Sequence, residues 1–237
     1  MVRALCFKMG KDPKKETAFT IVYKRTERNG IMKTYRTKML RLVSMALAFA
    51  LVFSLANVQN VEAKTKKKNI VVLYFSATGT TRGAAKKIGK ATKGNVIEIK
   101  AKKPYTEEDL DYGDENSRVS KEHASAKTPA RSKVRPKIAN ITAIKKAVKK
   151  ADVVYIGYPI WWGEAPHIVY SLVENVSLKK KTVIPFSTSI SSGLGSSGKH
   201  LKVKAQISSK TKWMKGRNFY DVPSQKTVNK WVKSLKY

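Results

Sequence analysis

Asn69-Ile-Val-Val-Leu-Tyr-Phe75 runs directly into Ser76-Ala-Thr-Gly-Thr-Thr81. After its asparagine the first stretch is continuously apolar and rich in β-branched side chains, the composition of a strand buried on both faces. It is read as a central parallel strand. Beyond the small, hydroxylated turn, Ala84, Ala85, Ile88 and Ala91 recur at helical spacing, so the order is strand, loop, helix. Further apolar runs at 96–99, 153–157 and 182–186 are read as strands, and a short strand near 213–220 as the completion of the sheet. Helical patterns cover 143–149, 165–176 and 224–235. Strands alternating with helices predict an α/β domain, a doubly wound five-stranded parallel sheet with helices on both faces and its ligand at the strands' C-terminal ends.

The chain has 237 residues, 49 Lys and Arg against 16 Asp and Glu, and a net charge of +33. Such an excess excludes an ordinary acidic electron carrier and points to a polyanionic neighbour. Cys6 is the only cysteine, which excludes an intramolecular disulfide framework and Cys-ligated metal centres. His123, His167 and His200 lack metal-ligand spacing, and the acidic run Glu107 to Glu115 does not match a calcium loop. Thr106 followed by acids is also the pattern of a helix N-terminus. No metal site is expected.

Leu42 to Ala56 is a 15-residue apolar run, short for a membrane span, behind the basic segment Lys33, Arg36, Lys38 and Arg41. With Val61-Glu62-Ala63 supplying small residues, residues 32–63 read as a signal peptide cleaved after Ala63. An uncleaved anchor or a buried core helix is the other reading. Residues 1–31 stand in front of the natural start of such a signal, Met32, and are read as a non-native or disordered extension. Residues 64–68 form a basic linker, and the folded domain spans 69–237. Residues 1–63 hold 12 basic and 4 acidic residues, so the remainder keeps 37 and 12, a net +25. An exported, extracellular or envelope-associated protein of this charge is expected to meet anionic cell-envelope polymers or lipid headgroups. No nucleic-acid recognition module is evident, so no specific nucleic acid is expected.

Three loops follow strands. Ser76 to Thr81 opens a helix and can cradle a phosphate: N–H groups at a helix N-terminus are unsatisfied, the dipole favours an anion, and hydroxyls add donors. Helix capping also wants such residues. No Walker lysine follows, which disfavours a nucleotidase. Gly157-Tyr-Pro-Ile-Trp-Trp-Gly163 can place one indole in the core and the other over the mouth of a site, where a flat aromatic ligand would stack. In Thr188 to Gly198, Gly193, Gly195 and Gly198 spell G-x-G-x-x-G after a late strand. That is the wrong place for a dinucleotide fingerprint, and a flexible lining loop is the better reading.

Together these loops resemble the flavodoxin-like proteins, in the branch with Y-F-S-x-T-G-x-T, G-Y-P-I-W-W-G and T-S-x-S-S-G-x-G-S-S segments. The resemblance runs from about Asn69 to the C-terminus and takes in an insertion from Pro104 to Arg118. It implies an FMN phosphate held by Ser76, Thr78, Gly79, Thr80 and Thr81. It places the isoalloxazine against Pro159, Ile160, Trp161, Trp162 and Gly163, with Thr188, Ser189 and Gly193 lining the other side. The implied function is electron transfer through bound FMN. An FMN-dependent NAD(P)H or quinone oxidoreductase and a flavin-free envelope-binding module are the alternatives. Redox donor and acceptor are not readable.

Overall fold

The computed structural model describes residues 67–237, together with Met32, Tyr35 and Met39, which are helical and exposed. The signal-peptide, cleavage-site and N-terminal-extension readings therefore lie outside the described residues. Among those described, no helix is long and apolar enough to cross a membrane.

The chain alternates β1 (Ile70–Tyr74), α1 (Thr80–Thr92), β2 (Asn95–Glu98), a 3-10 turn (Glu108–Leu110), α2 (Arg118–Ala124), α3 (Ile141–Lys150) and β3 (Val153–Pro159). It continues through α4 (His167–Asn175), β4 (Thr182–Thr188), α5 (Ser197–Lys204), β5 (Lys212–Trp213), β6 (Arg217–Phe219) and α6 (Gln225–Ser234). The strands are parallel in the order β2-β1-β3-β4-β5, with β6 also beside β4. β1, β3 and β4 are the apolar centre, and each is almost wholly buried. Alternate residues feed two cores. Val72, Tyr74, Tyr155 and Phe186 pack on one face with Ala84, Ala85 and Ile88 of α1 and Val228 and Trp231 of α6. Leu73, Val154, Ile156 and Val183 pack on the other with Ile144 and Val148 of α3 and with α4. This is the doubly wound arrangement that the sequence predicts.

The fifth strand differs from expectation, since it is broken in two. Lys212 N–H donates to Lys181 O and Met214 N–H to Val183 O, both at 2.9 Å. The next bond of that parallel ladder would have to come from Pro185, which has no N–H. Pairing lapses there and resumes at Phe186 with Arg217. Gly216 fits the gap, because a Cβ on it would sit 2.5 Å from Pro185 O.

Two helices escape the sequence reading. In the structure the insertion runs beyond Arg118, from the bridge at Ala101 to Ile138, and its added length includes α2, capped by Ser117 Oγ accepting from Ser120 N–H. α5 begins within the stretch read as a flexible loop, so that loop ends at Ser196 and Gly198 is helical and buried. The acidic run does begin a helical turn: Asp109 N–H donates to Thr106 Oγ1 (3.1 Å) and Thr106 N–H to Asp109 Oδ2 (3.4 Å). The insertion is pinched at its base by the antiparallel bridge between Ala101 and Ile138.

Candidate functional site

β1 and β3 are neighbours whose connections leave in opposite directions, to β2 and to β4. The loops that follow them must part and leave a crevice. On one wall, Gly79 is the N-cap of α1 at φ +98 and offers no side-chain cap. Its N–H donates to Ser76 Oγ (3.1 Å), and the first intrahelical bond runs from Gly83 N–H to Gly79 O (2.9 Å). The N–H groups of Thr80, Thr81 and Arg82 thus have no partner within the helix. No acid lies in the first turn, and a Cβ on Gly79 would meet no atom within 4 Å. Thr78 is exposed and Thr80 half-buried, both open to a ligand. Thr81 is buried, and its hydroxyl pairs with Thr188 Oγ1 at 2.7 Å, tying the first loop to the end of β4. What Thr81 can give an anion is its N–H.

The opposite wall is aromatic. Pro159 ends β3, and Ile160 N–H donates to Thr188 O (2.9 Å). Trp161 and Glu164 exchange backbone hydrogen bonds of 2.9 and 3.0 Å, closing a hairpin turn over Trp162 (φ +45) and Gly163 (φ +76). Positive φ at both central positions defines the primed turn that suits a right-twisted hairpin. Gly163 takes it freely, whereas Trp162 is strained there. The turn splits the tryptophans as expected. Trp161 packs edge-on against Phe75 and Tyr105, at 5.7 and 5.6 Å between centroids. Trp162 stays 40% exposed.

The sequence reading missed what lies on Trp162. His123 stacks on it at 4.4 Å and 5°, and Tyr112 lies 4.4 Å away at 37°, both from the insertion. Behind the tryptophans, buried Glu122 accepts one bifurcated hydrogen bond from Tyr105 Oη, 3.0 Å to each carboxylate oxygen, and one of 2.9 Å from Arg118 Nε. Burial raises the Glu122 carboxyl above its usual range, against the pull of Arg118. Burial, with Arg135 and His123 adding to it, lowers His167 to about 4. The 3.9 Å approach of His167 Nδ1 to Glu122 is therefore contact with a neutral imidazole, not an ion pair. Trp162 and His167 are separated from α2 along the chain by a loop, a helix and a strand, so no local signal could pair them with it, whereas Arg118 and Glu122 stand i, i+4 on α2.

The third loop closes the crevice. Ser189 is held by hydrogen bonds to Ser192 O and Asn218 Oδ1, and Gly193 is exposed. Glu164 Oε1 meets His200 Nδ1 at 2.7 Å, joining the tryptophan turn to α5. The candidate residues Ser76, Thr78 to Thr81, Pro159 to Gly163, Thr188 and Ser189 thus gather at the ends of β1, β3 and β4. Gly193 lies further out along the third loop. The arrangement fits FMN: an anion-seeking helix N-terminus with room above Gly79 stands across the crevice from an exposed indole.

Comparison with known proteins agrees with this reading. A family model described as Flavodoxin matches residues 69–235. Among solved structures, a proposed flavoprotein from Bacteroides eggerthii is 38% identical over 72% of this chain and 99% of its own, with a TM-score of 0.60. One from Bacteroides uniformis is 37% identical over 70% and 98%, with a TM-score of 0.59. No curated protein matches. With the family model spanning most of the chain and two solved relatives above one-third identity, this chain belongs to the flavodoxin family.

Proposed function

We propose that the protein binds FMN between the 76–81 and 159–163 loops and transfers electrons through it. The observation that carries this reading is the meeting, at one topological switch point, of an uncapped helix N-terminus and an exposed tryptophan. FMN, when bound, supplies redox chemistry that no side chain here can. Ser76, Thr78, Gly79, Thr80 and Thr81 hold the phosphate through hydroxyls and N–H groups. Trp162 offers the part of its indole that His123 and Tyr112 leave exposed, and Thr188, Ser189 and Gly193 line the remaining side. Thr81 and Thr188 keep the phosphate loop in register with β4.

Residues 32–63 supply export, placing the domain outside the cytoplasm among anionic envelope polymers or lipid headgroups. The basic, apolar and small-residue segments of that stretch support it. The decisive experiment is the visible spectrum of residues 64–237, purified and then titrated with FMN. Flavin bands that stay with the protein on gel filtration are expected. Colourless protein that takes up no FMN would refute the assignment.

A further inference from the structure

We infer that the end of the domain opposite the crevice docks on a bilayer that displays anionic lipid headgroups. In a doubly wound fold every helix runs back to the edge where strands begin, so helix C-termini and helix-to-strand connections share one end. Here those connections are residues 67–69, 93–94, 151–152, 176–181 and 205–211, with the C-terminal 235–237 beside them. They hold eight lysines and a single acid, Asp152. The last turns of α1, α3, α5 and α6 add six more lysines. A lysine at a helix C-terminus also complements the helix dipole. That explains some of the six and, among the eight, Lys93 as the C-cap of α1 and Lys181, whose ammonium meets the carbonyls that end α3; Lys67, Lys68, Lys179, Lys180 and Lys210 lie outside any helix.

The connections form one continuous surface. Asp152 N–H donates to Asn69 O (2.8 Å) and Thr182 N–H to Asp152 O (3.0 Å). Lys181 Nζ donates to Lys149 O (3.2 Å), and Lys180 N–H to Thr211 Oγ1 (3.2 Å). Lys68 Nζ stands 5.8 Å over the ring of Tyr237. The acids lie elsewhere: six of the twelve in this domain fall between Glu107 and Glu115, in the insertion that follows β2. Charge is therefore polarised along the strand direction, which net charge alone would not require.

A bilayer fits this end for two reasons. The surface spans several connections, as a broad anionic partner requires and a small anion does not. The chain also enters the domain here, at Lys67, preceded in sequence by Lys64 and Lys66, so the basic linker extends the same lysine-rich end. Docked this way, the crevice opens away from the lipid and its redox partner arrives from the aqueous side. The inference rests on surface charge and needs no flavin.

Vesicle co-sedimentation tests it. Residues 64–237 are the unit to use, because the solved relatives are matched over 99% and 98% of their lengths by this domain alone. Vesicles of phosphatidylcholine with 30% phosphatidylglycerol should bind it at physiological salt, and pure phosphatidylcholine should not. Lysines near a charged bilayer contribute about fivefold each to partitioning, so K150E/K179E/K210E should lose on the order of 100-fold. The exposed insertion triple K102E/K121E/K133E has the same net charge and should lose less than about tenfold. Equal losses for the two triples would overturn the inference, as would absence of binding to the anionic vesicles. Retention by isolated anionic wall polymer with no vesicle binding would also overturn it. Circular dichroism of both triples confirms that each is folded.

Discussion

Gly79→Ala isolates the backbone of the phosphate loop. Gly79 sits at φ +98, and its added Cβ would touch nothing within 4 Å, so the substitution introduces no clash. Its whole effect is the conformational penalty of an L-residue in the left-handed region, about 1–2 kcal/mol. If the loop keeps its shape, stability falls by that amount and FMN binds as before. If it relaxes to negative φ, the Gly79 N–H leaves Ser76 Oγ and the unpaired N–H groups of Thr80, Thr81 and Arg82 lose their common aim. Each hydrogen bond to a charged group contributes about 1.5–3 kcal/mol. Losing one of three therefore weakens FMN at least about tenfold, which matches or exceeds the penalty that relaxation relieves. Which outcome wins depends on ligand: the bound phosphate favours the strained loop, and the free protein favours the relaxed one. The predicted result is a free variant of near-normal stability whose FMN affinity is reduced at least about fivefold while riboflavin changes less than twofold. Flavin fluorescence titration of both ligands, with urea unfolding of the free protein, measures it. Equal losses for FMN and riboflavin would refute the phosphate cradle. An unchanged FMN affinity in a variant of unchanged stability would refute the claim that loop shape sets it.

Three further outcomes follow from the structure, and a fourth from the sequence of residues 32–63. Thr78→Val removes an exposed hydroxyl and should weaken FMN more than riboflavin, by titration. Because burial holds His167 near 4, below the ordinary value of about 6.5, the unfolded chain takes up a proton first as pH falls. Stability present above pH 6.5 is lost on the way down, by on the order of 2 kcal/mol between pH 6.5 and 5, while the raised Glu122 carboxyl acts in the opposite direction. His167→Gln should flatten that fall in urea titrations, and an unaltered pH profile would contradict a neutral buried imidazole. Gly157→Ala should cost about 1–3 kcal/mol or more by urea unfolding, since its Cβ would lie 2.1 Å from Phe186 Cζ in a fully buried ring. Intact mass of the secreted form should correspond to a chain that begins at Lys64, and a full-length chain retained in the membrane would rule out cleavage there.

Local sequence alone determined the sheet, because strands buried on both faces must be apolar throughout and β1, β3 and β4 carry no competing pattern. It also located the loops that carry the candidate site, since strand ends and Ser, Thr and Gly turns are short-range signals. The sequence placed the two tryptophans beyond the end of β3, and the turn at Trp162 and Gly163 splits them. Tertiary structure decided what depends on partners far along the chain. α5 was hidden because three glycines stand in or just before it and its lysines leave little apolar stripe. The fifth strand broke because of a proline in its neighbour, a fact about pairing rather than about residues 212–219 themselves. Trp162 meets His123 and Tyr112, and Thr81 meets Thr188, only because the sheet order folds them together, while Glu122 meets Tyr105 through the fold of the insertion itself. The lysines looked evenly scattered along the chain; parallel topology, which returns every helix to one edge, gathered many of them at a single end.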